Sequence, residues 1–214
     1  MAEIAPFRGV RYNPHKVGDL SKVLSQPYDR VRYGLQDEYY ELHPYNIVRI
    51  IKGREFEIDA VDGDNVYTRA RDYYHTWLDA GYLLRDARRA FYVYRQIFTL
   101  PNGEQLTREA FIAALRLVEF DEGIVLPHER TLAGPKVDRL NLLRATEANF
   151  GQIFMLYPDA ENRINALFDA ATAGRTPDVD VRELFETDVR QQLWIVADPD
   201  VVASVVAEMS AKTG

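Results

Sequence analysis

Between Asp64 and Ala80 the chain repeats apolar and aromatic side chains at intervals of three and four: Val66, Tyr67, Ala70, Tyr73, Tyr74, Trp77 and Leu78. Only an α-helix gathers such positions on one face. Gly81 supplies the stop. A different pattern governs Ala90 to Thr99, which is β-branched and aromatic and runs into the turn-forming Pro101-Asn102-Gly103. That combination reads as the first half of a β-hairpin. The return strand is expected over Arg108 to Phe120, where Phe111, Ala113, Leu115 and Leu117 alternate. Phe111, Ala114, Leu115 and Val118 also fit a helix. The strand is preferred because a long strand without a partner leaves its backbone groups unpaired.

The remaining elements follow the same two periods. The first sixty residues are punctuated by Pro6, Gly9, Pro14, Gly18, Pro27, Gly34, Pro44 and Gly53, with strands expected over Ile4 to Val10 and Ile47 to Ile51. A helix is expected over Val137 to Asn149, a buried strand over Gln152 to Tyr157, and a helix over Ala160 to Ala173 ended by Gly174. Val179 to Phe185 and Gln192 to Val196 read as a second hairpin. Asp198-Pro199 opens a last helix to Ala211, with an N-cap followed by proline at the first helical position. Strands and helices mix without strict alternation, so the fold class is α+β, with a mixed, largely antiparallel sheet and flanking helices, in a single domain over 1–214.

Composition narrows the function classes. The 214 residues are 47% hydrophobic and 28% charged, typical of a folded chain. There is no cysteine, hence no disulfide, thiolate metal site or cysteine nucleophile. A net charge of −7 argues against general affinity for nucleic acid or an anionic membrane surface. No apolar run approaches a membrane span, and the N-terminus lacks the layout of a secretory signal, so a cytoplasmic protein is expected.

The familiar catalytic signatures are missing: no G-x-G-x-x-G after a strand, no G-x-x-x-x-G-K-[ST] and no G-x-S-x-G. His128-Glu129-Arg130-Thr131-Leu132 begins like a zinc-protease helix, but leucine stands where the second histidine is needed, and no metal site is expected. Three polar constellations carry the functional argument instead. In the first, His128, Glu129, Arg130, Thr131, Lys136, Asp138, Arg139 and Asn149 follow one another around Gly134-Pro135. A glycine-containing loop leading into a helix at Val137 presents backbone N–H groups, and Lys136 and Arg139 add positive charge, as an anion requires. His128 beside Glu129 suits an acid/base pair. The competing reading is a solvated loop whose charges pair with each other.

In the second constellation, Pro27 restricts the backbone and holds Tyr28 and Asp29 at a turn, where Asp29 is either a positioned carboxylate or an ordinary turn former. The third is His43-Pro44-Tyr45-Asn46-Ile47-Val48-Arg49. Asn46 caps or lines the mouth of the expected strand. Arg49, inside an apolar run, calls for an anionic partner: Asp29, Glu129 or a ligand. The aromatic series Tyr73, Tyr74, Trp77 and Tyr82 sits at helical spacing and reads as core rather than as a stacking platform for bases.

Taken in order, Pro6-Phe7-Arg8-Gly9-Val10, Gln26-Pro27-Tyr28-Asp29, Pro44 to Arg49, the helix ending in Trp77-Leu78, Phe91 to Gln96, Leu126 to Thr131, Lys136 to Arg139 and Asn149 to Phe154 resemble the family known as domain of unknown function 1015, over essentially the whole chain. In that family a helix like Asp198 to Ala211 is followed by an Asp-Gly-His-His-Arg segment, so the chain is expected to be the N-terminal part of a longer architecture or a short member. The histidine–arginine segment is similar to the phosphate-handling motif of ParB/sulfiredoxin-type folds, some of which are nucleotide-dependent kinases of free serine. The resemblance therefore implies an amino-acid phosphotransferase using ADP or ATP with Mg²⁺. Its catalytic groups would come from Asp29, His128 and Glu129, and a small anionic or phosphorylated substrate would be held by Tyr28, Asn46, Arg49, Thr131, Lys136, Asp138, Arg139 and Asn149. The alternative is a non-catalytic, regulatory module that binds a metabolite or protein through the same loop.

Overall fold

The computed structural model describes residues 2–32, 34–128, 132–185, 189–210 and 212. The chain is α+β, and its strands pair antiparallel wherever their register is defined. It divides into two compact units, one comprising Met1–Gly9, Arg85–Arg130 and Ile153–Gly214, the other Val10–Leu84 and Thr131–Gln152.

The first unit is built on a four-stranded sheet. Its strands are β4 (Phe91–Thr99), β5 (Gln105–Ile112), β7 (Val179–Arg182) and β8 (Arg190–Val196), in the order β5-β4-β8-β7. A short pair, β1 (Ile4–Ala5) with β6 (Ala114–Leu115), lies outside it. Register explains the core: Val93 stands opposite both Phe111 and Trp194, and Phe91 opposite Val196, so alternate residues of three strands share one face. Helices α6 (Arg163–Thr172) and α7 (Pro199–Ser210) cover that face with Ile164, Phe168, Val205 and Met209. The Phe168 ring lies 5.1 Å from Phe111 and 6.2 Å from Phe91. The β4–β5 hairpin turns where expected, with Gly103 at φ 85°.

The second unit is mostly helical. Strand β2 (Val10–Tyr12) pairs with β3 (Leu83–Arg85), and the helices are α1 (Pro14–Val17), α2 (Leu35–Leu42), α3 (Val48–Ile51), α4 (Val66–Asp79) and α5 (Ala133–Thr146). The periodic stretch is α4. Asn65 caps it by accepting from the N–H groups of Tyr67 (3.0 Å) and Thr68 (3.1 Å), and Thr68 Oγ1 accepts from the Asn65 N–H in return. Its buried residues Ala70, Tyr74 and Trp77 pack with Ile50, Ile51 and Leu142.

Four expectations are corrected. Ile47 to Ile51 is not a strand but ends in α3, because an apolar run this short has no readable period and the side chain of Asn46, just before it, accepts from the Val48 N–H. Gly134 and Pro135 are not a loop; they sit in the first turn of α5, where N–H groups have no intrahelical acceptor and proline costs no hydrogen bond. Gln152 to Tyr157 forms no strand and is mostly exposed, with Ile153 at 80% and Leu156 at 79%. The return strand of the first hairpin ends at Ile112, and residues Phe120–Glu122 form a 3₁₀ turn.

One contact restricts the sequence sharply. The Gly9 N–H donates to the Tyr92 hydroxyl at 2.6 Å, and that hydroxyl donates to Asp86 at 2.7 Å. A Cβ on residue 9 would lie 2.6 Å from the same oxygen. Gly9→Ala is expected to lower unfolding stability in urea by about 1–3 kcal/mol through overpacking. Restoration of wild-type stability by adding Tyr92→Phe would contradict this, since the ring itself stands too close.

Candidate functional site

The second unit concentrates its polar chemistry around α3, a helix of only four residues. Asn46 precedes it with no exposed surface. Its amide nitrogen donates to the carbonyls of Lys22 (2.8 Å) and Leu24 (2.9 Å), and its oxygen accepts from the Val48 N–H (2.9 Å). Asn46 is therefore a satisfied buried amide that ties the 22–24 segment to the start of α3. At the other end, Arg139 of α5 donates through Nη2 to the Ile51 carbonyl at 2.9 Å, filling an acceptor the helix terminus leaves open. The same guanidinium stacks on Tyr28 at 4.0 Å and pairs with its neighbour Asp138, whose second oxygen accepts from the Tyr67 hydroxyl at 3.0 Å. Burial, and then the hydrogen bond to Asp138, push the Tyr67 phenol up.

The middle of α3 presents Arg49. Its Nη2 donates to the Tyr40 carbonyl at 2.7 Å, and its guanidinium lies 4.2 Å over the Tyr40 ring. Among the described residues its buried Nε has no acceptor, and no carboxylate forms an ion pair with it. Arg54 lies over the same ring, also at 4.2 Å, and pairs with Asp37 at 2.6 Å. The Arg54 N–H donates to the Tyr40 hydroxyl at 3.1 Å, while burial pushes that phenol up. Arg69 of α4 is doubly bonded to Asp59 (2.8 Å to each oxygen), reaches Asp64 at 3.2 Å, and lies 4.7 Å over Phe56. The Arg69 hydrogen bond holds the Asp59 carboxyl below the usual range. Tyr40, Arg49, Arg54, Phe56, Arg69 and Tyr73 line one cleft of about 180 Å³, completed by Gly53 and Val66.

The expected site residues fare unequally. Tyr28, Asp138 and Arg139 meet, and Arg139 joins them to α3, which also carries Arg49. Asp29 is exposed in the Pro27–Arg30 turn, and Lys136 and Asn149 are also exposed. His128 belongs to the other unit, where it is exposed. Glu129 and Thr131 lie outside the described residues. The sequence places Arg49 in a strand with Asp29, Glu129 or a ligand as its anionic partner; it stands instead on a helix and donates to a backbone carbonyl. Sequence reading missed Tyr40, Arg54 and Arg69, and assigned Tyr73 to the core alone. Their only signal was the arginine count between residues 49 and 69. Among the described residues no group of three or more histidine or acidic side chains could hold a metal ion, and no helix is long and apolar enough to cross a membrane.

The architecture is that of an α+β protein with an arginine-lined cleft in its helical unit. The chain belongs to the family described as protein of unknown function, DUF1015, whose model matches residues 4–213. No curated protein and no solved structure matches it, so the likeness to ParB/sulfiredoxin-type folds gains no support from these comparisons.

Two outcomes test the geometry around α3. Asn46→Ala strands two carbonyls and one N–H, and is expected to cost about 2–4 kcal/mol in chemical denaturation; a loss under about 1 kcal/mol would mean the knot is not what holds α3. His43 accepts from the Tyr45 N–H through Nδ1 at 3.1 Å, and its pKa is lowered by burial, then by the charges of Lys22 and Arg49. Folding thus favours neutral His43: its contribution is complete above the usual value of 6.5 and is lost as pH falls through the folded pKa. An NMR titration of its ring protons should show a midpoint below 6.5, moving upward in Arg49→Gln.

Proposed function

We propose that the chain recognises a small molecule bearing a phosphate or carboxylate group, held in the cleft of the helical unit lined by Arg49, Arg54 and Arg69, with Arg49 as its main contact. The supporting observation is the state of Arg49, a cation that lines the cleft, donates to a backbone carbonyl and has no carboxylate in ion pair with it among the described residues. Keeping a partly buried charge unpaired is costly, and an anion entering the cleft removes that cost. Its neighbours prepare the site: Tyr40 fixes the guanidinium plane through both its carbonyl and its ring.

Of the two functions the sequence leaves open, these observations favour binding over group transfer. Transfer to a hydroxyl needs a carboxylate or imidazole near the reacting atoms. Asp29 faces solvent, Asp138 is engaged by Arg139 and Tyr67, and at the cleft itself Asp37 and Asp59 are paired with Arg54 and Arg69. The phosphotransferase reading retains its own requirement, ADP or ATP with Mg²⁺.

Calorimetric titration of the full chain separates the two. Inorganic phosphate is expected to bind without Mg²⁺, and Arg49→Gln should weaken it by about tenfold or more, since a hydrogen bond to a charged group contributes about 1.5–3 kcal/mol. Nucleotide binding that requires Mg²⁺ and is indifferent to Arg49→Gln would replace this reading with the phosphotransferase.

A further inference from the structure

We infer that the ligand is a phosphomonoester dianion gripped by Arg49 and Arg54 together, with Asp37 as the internal anion it displaces. This rests on the reading of the Arg49 cleft as an anion site and adds the ligand's charge, its body and the exchange that admits it.

The charge follows from the pair of guanidiniums. Both lie 4.2 Å from the centroid of one ring, Tyr40, and both line the same cleft. The ring attracts each of them, which helps a cleft of this size hold two cations. A monocarboxylate matches one guanidinium; a phosphate monoester, with a charge near −2 and three acceptor oxygens, matches two.

The exchange follows from how differently the three cleft arginines are compensated. Arg69 is held by both oxygens of Asp59, with side chains 20% and 17% exposed, and by Asp64 as well. Among the described residues Arg54 pairs with Asp37 alone, and that pair is open to solvent, at 39% and 63%. An exposed pair is screened and weak, so a dianion can take Arg54 from Asp37 far more readily than Arg69 from Asp59. Arg54 stays in place when Asp37 leaves, because its backbone N–H remains on the Tyr40 hydroxyl and its guanidinium on the Tyr40 ring. The body of the ligand follows from Phe56 and Tyr73, which add aromatic surface to the lining of the same cleft. A phosphate carried on an apolar or planar group fits there better than the free ion.

Titrating the full chain with phenyl phosphate, benzoate and inorganic phosphate tests this. Phenyl phosphate should bind about tenfold more tightly than either of the others at pH 7.5, and lose its advantage over benzoate below about pH 6 as its second proton binds. Asp37→Asn should tighten phenyl phosphate several-fold. Arg54→Gln should weaken phenyl phosphate by about tenfold and benzoate by clearly less, with a cooperative urea transition showing that the variant is folded. Benzoate matching phenyl phosphate, inorganic phosphate matching phenyl phosphate, or indifference to Arg54→Gln and Asp37→Asn would overturn the inference while leaving Arg49-dependent anion binding intact. Absence of binding by all three ligands would overturn the underlying reading as well.

Discussion

A single buried amide sets the geometry on which the candidate site depends. Four residues are too few for a helix to persist by its own hydrogen bonds, since nucleation fixes several torsions for one bond gained. α3 exists because Asn46 supplies its first cap from a position with no water contact, and because Arg139 fills the acceptor at its end. Once the turn is held, its side chains have fixed destinations. Ile50 and Ile51 enter the core beside Ala70, Tyr74 and Trp77, and Arg49 goes to Tyr40. The site is thus a by-product of a packing decision: three residues of the turn are needed for burial, and the fourth is left to carry charge.

The arginines near α3 differ in how much of their bonding capacity is spent inside the fold. Arg139 uses its donors on Asp138 and the Ile51 carbonyl and its face on Tyr28, so it acts as a clamp. Arg69 is similarly committed to Asp59. Among the described residues Arg49 spends one nitrogen on the Tyr40 carbonyl and forms no ion pair. A residue can serve a ligand only with what the fold has not consumed. That ordering, rather than closeness in sequence, separates a clamp from a contact.

The sequence made the long, periodic elements legible. α4 carries enough turns for its spacing to be unambiguous, and the first hairpin is marked by its own turn chemistry at Gly103. It was misleading where length or context decided. The Ile47 to Ile51 run offers no period, so only the Asn46 bonds to Lys22 and Leu24, more than twenty residues away, reveal a helix. Pro135 reads as a breaker but costs nothing at a helix start. Apolar character at Gln152 to Tyr157 predicts burial in a ladder, yet β4 already has β5 and β8 on its two edges and offers no place beside it.

The same limit explains the site. Tyr28, Asp138 and Arg139 were identified from three separate short patterns, and they do converge, because clustered charges near turn residues attract one another whatever their purpose. What that proximity could not reveal is that the convergence neutralises them. Arg54 and Arg69 lie on a non-periodic loop and on the flank of an aromatic helix, where arginine is ordinary. Their significance appears only when the chain returns Phe56, Tyr40 and Tyr73 to the same cleft. Sequence shows where charge is dense; the fold determines which charge is left over, and among the described residues of the cleft Arg49 is the arginine with no carboxylate partner.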